Sequence, residues 1–211
     1  MMKEWKVSIV YRLFFILICF SGVWLGLTDD EEDAFMGQGT AINFYTLQSN
    51  IWVLTLETYL LLHAMWHRTK KTSKSPWNIG VFKYIFTVSI MLTFFVYWFM
   101  LAPYIAPKDI LKPSNLLLHA FSPILMLLDF LFFDREYVVP QNAMLLSLIP
   151  AIYYLMFILI RAEVSPVALT LGSRYPYWFM DVDAFRMDWQ SKWHRRDLLD
   201  IWYRTIGFGN C

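Results

Sequence analysis

The sequence predicts an all-α integral membrane protein, a bundle of transmembrane helices, and three observations carry that class. Of 211 residues, 58% are hydrophobic and only 17% charged, where soluble domains run near about a quarter charged. Mean hydropathy is +0.43, more apolar surface than a soluble core can hide, so lipid is the expected solvent. Aromatic residues reach 19%, with 10 Trp, 12 Tyr and 18 Phe, which suits interfacial belts and lipid-facing rings.

The apolar residues gather into five runs, residues 7–27, 44–66, 79–101, 115–133 and 141–160. At about 1.5 Å of rise per residue, each crosses a hydrocarbon core of about 30 Å. Lys3 and Lys6 precede the first run as they would in a signal peptide. Its length, and the lack of a small-x-small cleavage site, predict a retained anchor instead. Gly22 and Gly26 within it form a GxxxG spacing, which predicts close helix packing rather than chemistry. These runs make residues 1–185 one transmembrane bundle.

Residues 186–211 form a separate polar-aromatic tail. It interleaves Arg186, Lys192, Arg195, Arg196 and Arg204 with Trp189, Trp193, Leu199 and Trp202, and no run in it is long enough to span. Orientation follows from lysine and arginine. The second loop carries Arg68, Lys70, Lys71 and Lys74, whereas the first carries Asp29, Asp30, Glu31, Glu32 and Asp33 with no basic residue. The N-terminus is therefore expected in the cytoplasm, and in a bacterium the membrane would be the cytoplasmic one. Five spans from that start leave the basic tail outside, against the rule. Either the tail lies along the membrane surface, or a sixth span is missing or altered; the sequence leaves both open.

Several function classes drop out. A net charge of +1 with no basic stripe excludes nucleic-acid binding as a main role. Cys19 and Cys211 make neither a disulfide framework nor a metal site. No H-E-x-x-H, phosphate-binding glycine loop or G-x-S-x-G occurs. His63 and His67 lie at the cytoplasmic end of the second run, so haem ligation by His63 with His119 is excluded in this topology. No metal or organic cofactor is expected. The expected partners are membrane lipids, and no protein partner is indicated.

Ionisable groups inside spans are costly, so each is a functional hypothesis. The second run begins Phe44-Tyr45-Thr46-Leu47-Gln48-Ser49-Asn50 and carries Glu57 and His63; the fourth carries His119, Ser122 and Asp129. Both run from outside to inside. Thr46 and His119 then share an upper layer, and Glu57 and Asp129 share a lower one about 15 Å deeper. A hydroxyl beside an imidazole is the minimum equipment for nucleophilic acyl transfer. Gln48, Ser49, Asn50 or the free amides of the helix start could donate to an oxyanion. Plainer roles exist for the same residues. Thr46 can cap the helix, Gln48, Ser49 and Asn50 can bond between helices, His119 can be a packing residue, and Glu57 and Asp129 can share a proton or bond to hydroxyls.

The segment 43–50, Asn-Phe-Tyr-Thr-Leu-Gln-Ser-Asn, together with His119, Pro123 and Asp129 in an H-x3-P-x5-D pattern, resembles the androgen-induced gene 1 protein family and its bacterial six-helix branch. The closing motif Tyr175-Pro176-Tyr177-Trp178-Phe179-Met180-Asp181 looks like the tyrosine-proline loop of that branch, with Trp178 where proline would be expected. The resemblance covers about residues 7–185. It implies threonine hydrolysis of fatty acid esters of hydroxy fatty acids, with Thr46 as nucleophile and His119 as its partner. It also implies that Tyr175 and Tyr177 support the site from the outer side.

The resulting expectation is a lipid-ester hydrolase using Thr46 and His119, with Glu57 and Asp129 organising the pocket floor or orienting the second and fourth spans. Two other classes stay open. One is a proton-coupled carrier using Glu57, Asp129 and His119; the other is a non-catalytic assembly or regulatory membrane protein.

Overall fold

The computed structural model describes residues 2–28, 41–66, 77–133, 140–165, 167–169 and 173–184. The acidic first loop, the basic second loop and the tail from residue 186 lie outside the described residues, as does His67.

Among the described residues the chain is all-α. Helix α1 spans Met2–Thr28, α2 Tyr45–Trp66 and α3 Trp77–Phe95. A π-helical stretch, Val96–Leu101, and a 3-10 turn, Ala102–Tyr104, prolong α3. Two one-turn helices follow, α4 (Pro107–Ile110) and α5 (Pro113–Leu116). A second π stretch, Leu117–Phe121, joins α5 to α6, Ser122–Phe133. The short α7 (Ala143–Leu146) leads into α8, Ile149–Val164. A last 3-10 turn, Trp178–Met180, closes the described part.

Among the described residues, four helical segments are long and apolar enough to cross a membrane: Lys6–Thr28, Ile79–Tyr104, Pro113–Phe133 and Ala143–Val164. The chain is thus a multi-pass, all-α membrane protein. The sequence predicts five such spans, and the difference lies in α2, which at 22 residues is long enough but less apolar. The reason is its position. Gln48, Ser49, Asn50 and Glu57 are all buried, and α2 packs against α1, α3 and the second π stretch, so their polar groups meet protein rather than lipid. Lipid-facing positions are apolar instead: Val10, Leu17 and Trp24 on α1, and Ile152, Met156 and Ile160 on α8, are all exposed.

Three apolar clusters hold the bundle. Phe15, Cys19, Val53, Leu56, Leu60, Ile90 and Met126 fill its centre. Val23, Leu47 and Leu118 pack at the end where α2 begins. Phe44, Tyr45, Tyr154, Ile158, Leu169 and Tyr177 tie α8 and the closing loop to the start of α2. The GxxxG spacing does what small residues do between membrane helices. A Cβ on Gly22 would lie 3.0 Å from the Leu117 Cβ, and one on Gly26 3.0 Å from Leu118. Both glycines therefore let α1 approach the π stretch that carries His119.

The two π stretches have a common cause. Each ends two residues before a proline, Pro103 or Pro123. Proline has no N–H, and its ring clashes with the carbonyl one turn back. The preceding residue bonds five back instead of four: the Ala102 amide donates to Tyr97 and the Ser122 amide to Leu117. Such local widening is frequent at functional sites. Here it carries Tyr97 and His119.

Candidate active site

The first turn of α2 and the second π stretch bring Thr46 and His119 together. The Thr46 Oγ1 lies 3.0 Å from His119 Nε2. The other ring nitrogen, Nδ1, lies 3.1 Å from the Asn115 carbonyl, which can only accept, so Nδ1 carries the proton. That leaves Nε2 as the acceptor, and the Thr46 hydroxyl donates to it. Thr46 does not cap α2: the helix begins at Tyr45, and the threonine side chain is spent on the imidazole.

The imidazole is held on three sides. The Tyr97 ring stacks on it, with centroids 3.7 Å apart and planes 21° apart. Below, Pro123 offers no N–H to the carbonyls of Leu118 and His119. Asn50 Nδ2 donates to the first at 3.2 Å, and Trp98 Nε1 to the second at 2.9 Å. Asn50 also donates to the Thr46 carbonyl at 2.8 Å. One amide therefore ties the backbone of Thr46 to the residue before His119. The Tyr97 hydroxyl is buried and has no hydrogen-bond partner among the described residues.

Gln48, Ser49 and Asn50 surround Thr46 but do not face the space beside it. Gln48 Nε2 donates back to the Ile42 carbonyl at 3.0 Å. Ser49 Oγ donates to the Thr46 carbonyl at 3.1 Å and lies 2.8 Å from Thr93 Oγ1. The donors of Ser49 and Asn50 are committed within the bundle and Gln48 is turned back to Ile42, so none of the three is directed at the cavity beside Thr46.

Beside Thr46 is a cavity of about 110 Å3. Leu92, Val96 and Tyr97 of α3 and its π extension line one wall, Ala151 and Tyr154 of α8 another, and Tyr177 and Phe179 of the closing loop cover it. Tyr154 is fixed by its hydroxyl, which donates to the Asn43 carbonyl at 2.9 Å. The loop is anchored by Arg174, which donates to the Ala162 carbonyl at 2.8 Å and pairs with Asp183 at 2.5 Å. Tyr177 and Tyr175, grouped by sequence as supporting residues, separate here. Tyr177 lines the cavity with Thr46. Tyr175 is buried nearby with its amide donating to Ser173 Oγ at 3.1 Å, and it is not among the residues facing the cavity.

Glu57 and Asp129 do share a layer, but they neither share a proton nor bond to hydroxyls. Lys83 Nζ sits between them and bonds to both. Arg12 approaches from α1, with Nε 3.5 Å from Glu57 and a terminal nitrogen 3.6 Å from Asp129. All four side chains are buried. The result is two cations against two carboxylates, contributed by four different helices, a compensated cluster rather than a pocket floor. Among the described residues no group of His, Cys, Asp and Glu could hold a metal ion.

No family model, curated protein or solved structure matches the chain.

Proposed function

We propose that this protein is an integral membrane hydrolase of lipid esters, with Thr46 as nucleophile and His119 as general base and then acid. The observation that carries the reading is the 3.0 Å contact between Thr46 Oγ1 and an imidazole nitrogen left unprotonated by the Asn115 carbonyl. A nucleophile, a base and a group orienting the base are the parts of a hydroxyl-based acyl-transfer site.

Thr46 Oγ attacks the ester carbonyl carbon while its proton passes to His119 Nε2, and the carbonyl π pair moves onto oxygen. The tetrahedral intermediate collapses, the bond to the alcohol oxygen breaks, and that oxygen takes the proton from His119. Water then adds to the acyl-threonine with His119 again receiving the proton. Collapse frees the acid and returns the proton to Thr46. The apolar cavity lies between α3 and α8, where the half-exposed Leu92 opens toward lipid, and suits lateral entry of an acyl chain. A low-dielectric site of this kind strengthens the stabilisation of developing charge.

The resemblance of residues 43–50 and of His119 to the androgen-induced gene 1 family supports the same pair and the same class of substrate. In the N-in orientation, the site lies at the outer leaflet. The compensated Arg12–Glu57–Lys83–Asp129 cluster supports a structural role for the charges a carrier would need.

The test is labelling of purified, detergent-solubilised protein with a long-chain fluorophosphonate. Wild type is expected to label, and Thr46→Ala and His119→Ala, shown to be folded by thermal melting, are expected not to. A folded wild type that does not label, or a Thr46→Ala variant that does, overturns the assignment.

A further inference from the structure

An acyl-transfer site needs a donor for the oxygen that becomes negative, and the three polar side chains following Thr46 are directed elsewhere. The closing loop supplies a hydroxyl at the place they leave vacant. Tyr177 is buried and lines the cavity beside Thr46. Its ring is clamped, stacked on Phe179 at 5.3 Å with planes 5° apart and edge-on to Phe44 at 5.8 Å. The hydroxyl has little freedom to point anywhere but toward the start of α2.

The Tyr177 hydroxyl lies within hydrogen-bonding reach of the Tyr154 hydroxyl, of the Thr46 side chain and of the backbone of Tyr45 and Thr46. Those are the first two residues of α2, whose amides have no partner within the helix. Amides only donate, so the phenol oxygen accepts from them and its own hydrogen is left to donate. The Thr46 hydroxyl donates to His119 and the Tyr154 hydroxyl to the Asn43 carbonyl, so the oxygens of both can accept from Tyr177. Burial pushes the Tyr177 phenol above its ordinary pKa, so the group stays protonated, as a donor must.

Building on the hydrolase reading, we propose that Tyr177 is a catalytic residue whose hydroxyl donates to the oxyanion formed when Thr46 attacks an ester carbonyl. In the resting site that hydrogen bond goes to Thr46 or Tyr154. As the Thr46 oxygen bonds to carbon, the hydroxyl transfers its hydrogen bond to the adjacent carbonyl oxygen, which has gained the π electron pair. No proton leaves Tyr177. Loss of one such donor costs about 10²–10³ in rate.

The test uses the full-length protein in detergent and Tyr177→Phe, which keeps the ring contacts and removes the hydroxyl. Three readings are taken: the rate of long-chain fluorophosphonate labelling, protection by an alkyl trifluoromethyl ketone, and protection by a long-chain ether of equal length. The variant is expected to label about 10²-fold more slowly. It should also lose protection by the ketone, whose adduct carries an oxyanion, while protection by the ether is unchanged. Wild type that does not label overturns the hydrolase reading and this inference with it. Wild type that labels beside a Tyr177→Phe variant within threefold of its rate overturns this inference alone, as does equal loss of ether and ketone protection. If Tyr177→Phe does not fold, 3-fluorotyrosine at position 177 replaces it. That residue keeps the hydroxyl and makes it a stronger donor, and a labelling rate indifferent to it also overturns the assignment.

Discussion

Thr46 Oγ1 and His119 Nε2 lie 3.0 Å apart across 73 residues of sequence, and very little of what holds them there belongs to either residue. Asn50, Trp98, Tyr97 and Asn115 fix the imidazole and the backbone on both sides of the contact. The pair can therefore be dismantled from a distance, and each supporting contact yields a separate expectation.

Tyr97 acts through its ring and not its hydroxyl. Its oxygen is buried without a partner among the described residues, so Tyr97→Phe removes an unsatisfied polar group and should leave the melting temperature equal or raised, with labelling retained. Tyr97→Ala removes the face on which His119 rests, and should slow fluorophosphonate labelling at least about tenfold, the range of a misplaced catalytic group. Equal labelling of the two variants would count against the stacking role.

Pro123 maintains the irregular backbone at His119. With Pro123→Ala, an amide becomes available to the helix's own carbonyls and competes with Asn50 and Trp98. The variant should melt no lower than wild type yet label about tenfold more slowly, because the imidazole is re-aimed. Full labelling in a stable variant would show that the π stretch does not position His119.

Lys83 balances two carboxylates. Lys83→Met leaves Glu57 and Asp129 with Arg12 alone, and removing one partner from a buried ionic cluster costs about 3–5 kcal/mol. Adding Asp129→Asn restores the balance between Glu57 and Arg12 and should recover part of that loss. The check is thermal melting of both variants in the same detergent. A double variant no more stable than the single one would show that charge balance is not what the cluster supplies.

Gly22 sets the approach of α1 to the π stretch. Gly22→Val places branched carbons against Leu117 and Leu118, whose side chains already lie 3.0 Å and 3.2 Å from where a Cβ would be. Overpacking of this kind costs about 1–3 kcal/mol. Both melting temperature and labelling should fall. A variant that is destabilised but labels at the wild-type rate would separate the packing of α1 from the geometry of His119.

The membrane class, the limits of four spans and the shared layer of Thr46 and His119 were legible from hydropathy and depth, because helix rise converts position into height. Height does not give direction around the helix, which is why Gln48, Ser49 and Asn50 read as possible oxyanion donors until their partners were located. The spans were counted by apolarity, and α2 fails that count because its polar side chains are interior. Lys83 and Arg12 were equally visible inside apolar runs, and a charge tally across the spans would have paired them with Glu57 and Asp129. Pro103 and Pro123 were signals of the same kind: a proline within a span predicts a local break in the helix, though not that two breaks would meet face to face. Tyr177 could not be placed from sequence beyond its loop, since its role depends on how 173–184 folds back over α2.

Arg12, Glu57, Lys83 and Asp129 come one from each of α1, α2, α3 and α6, and the sum closes only when the fourth arrives. A chain stopped after α3 would hold two positive groups and one negative in the bilayer interior, an odd charge that lipid does not tolerate. Completion of the bundle is in this sense an arithmetic condition, met only when α6 joins α1, α2 and α3. An unfinished product would differ from a finished one by a whole unit of buried charge, long before any difference in activity could be detected.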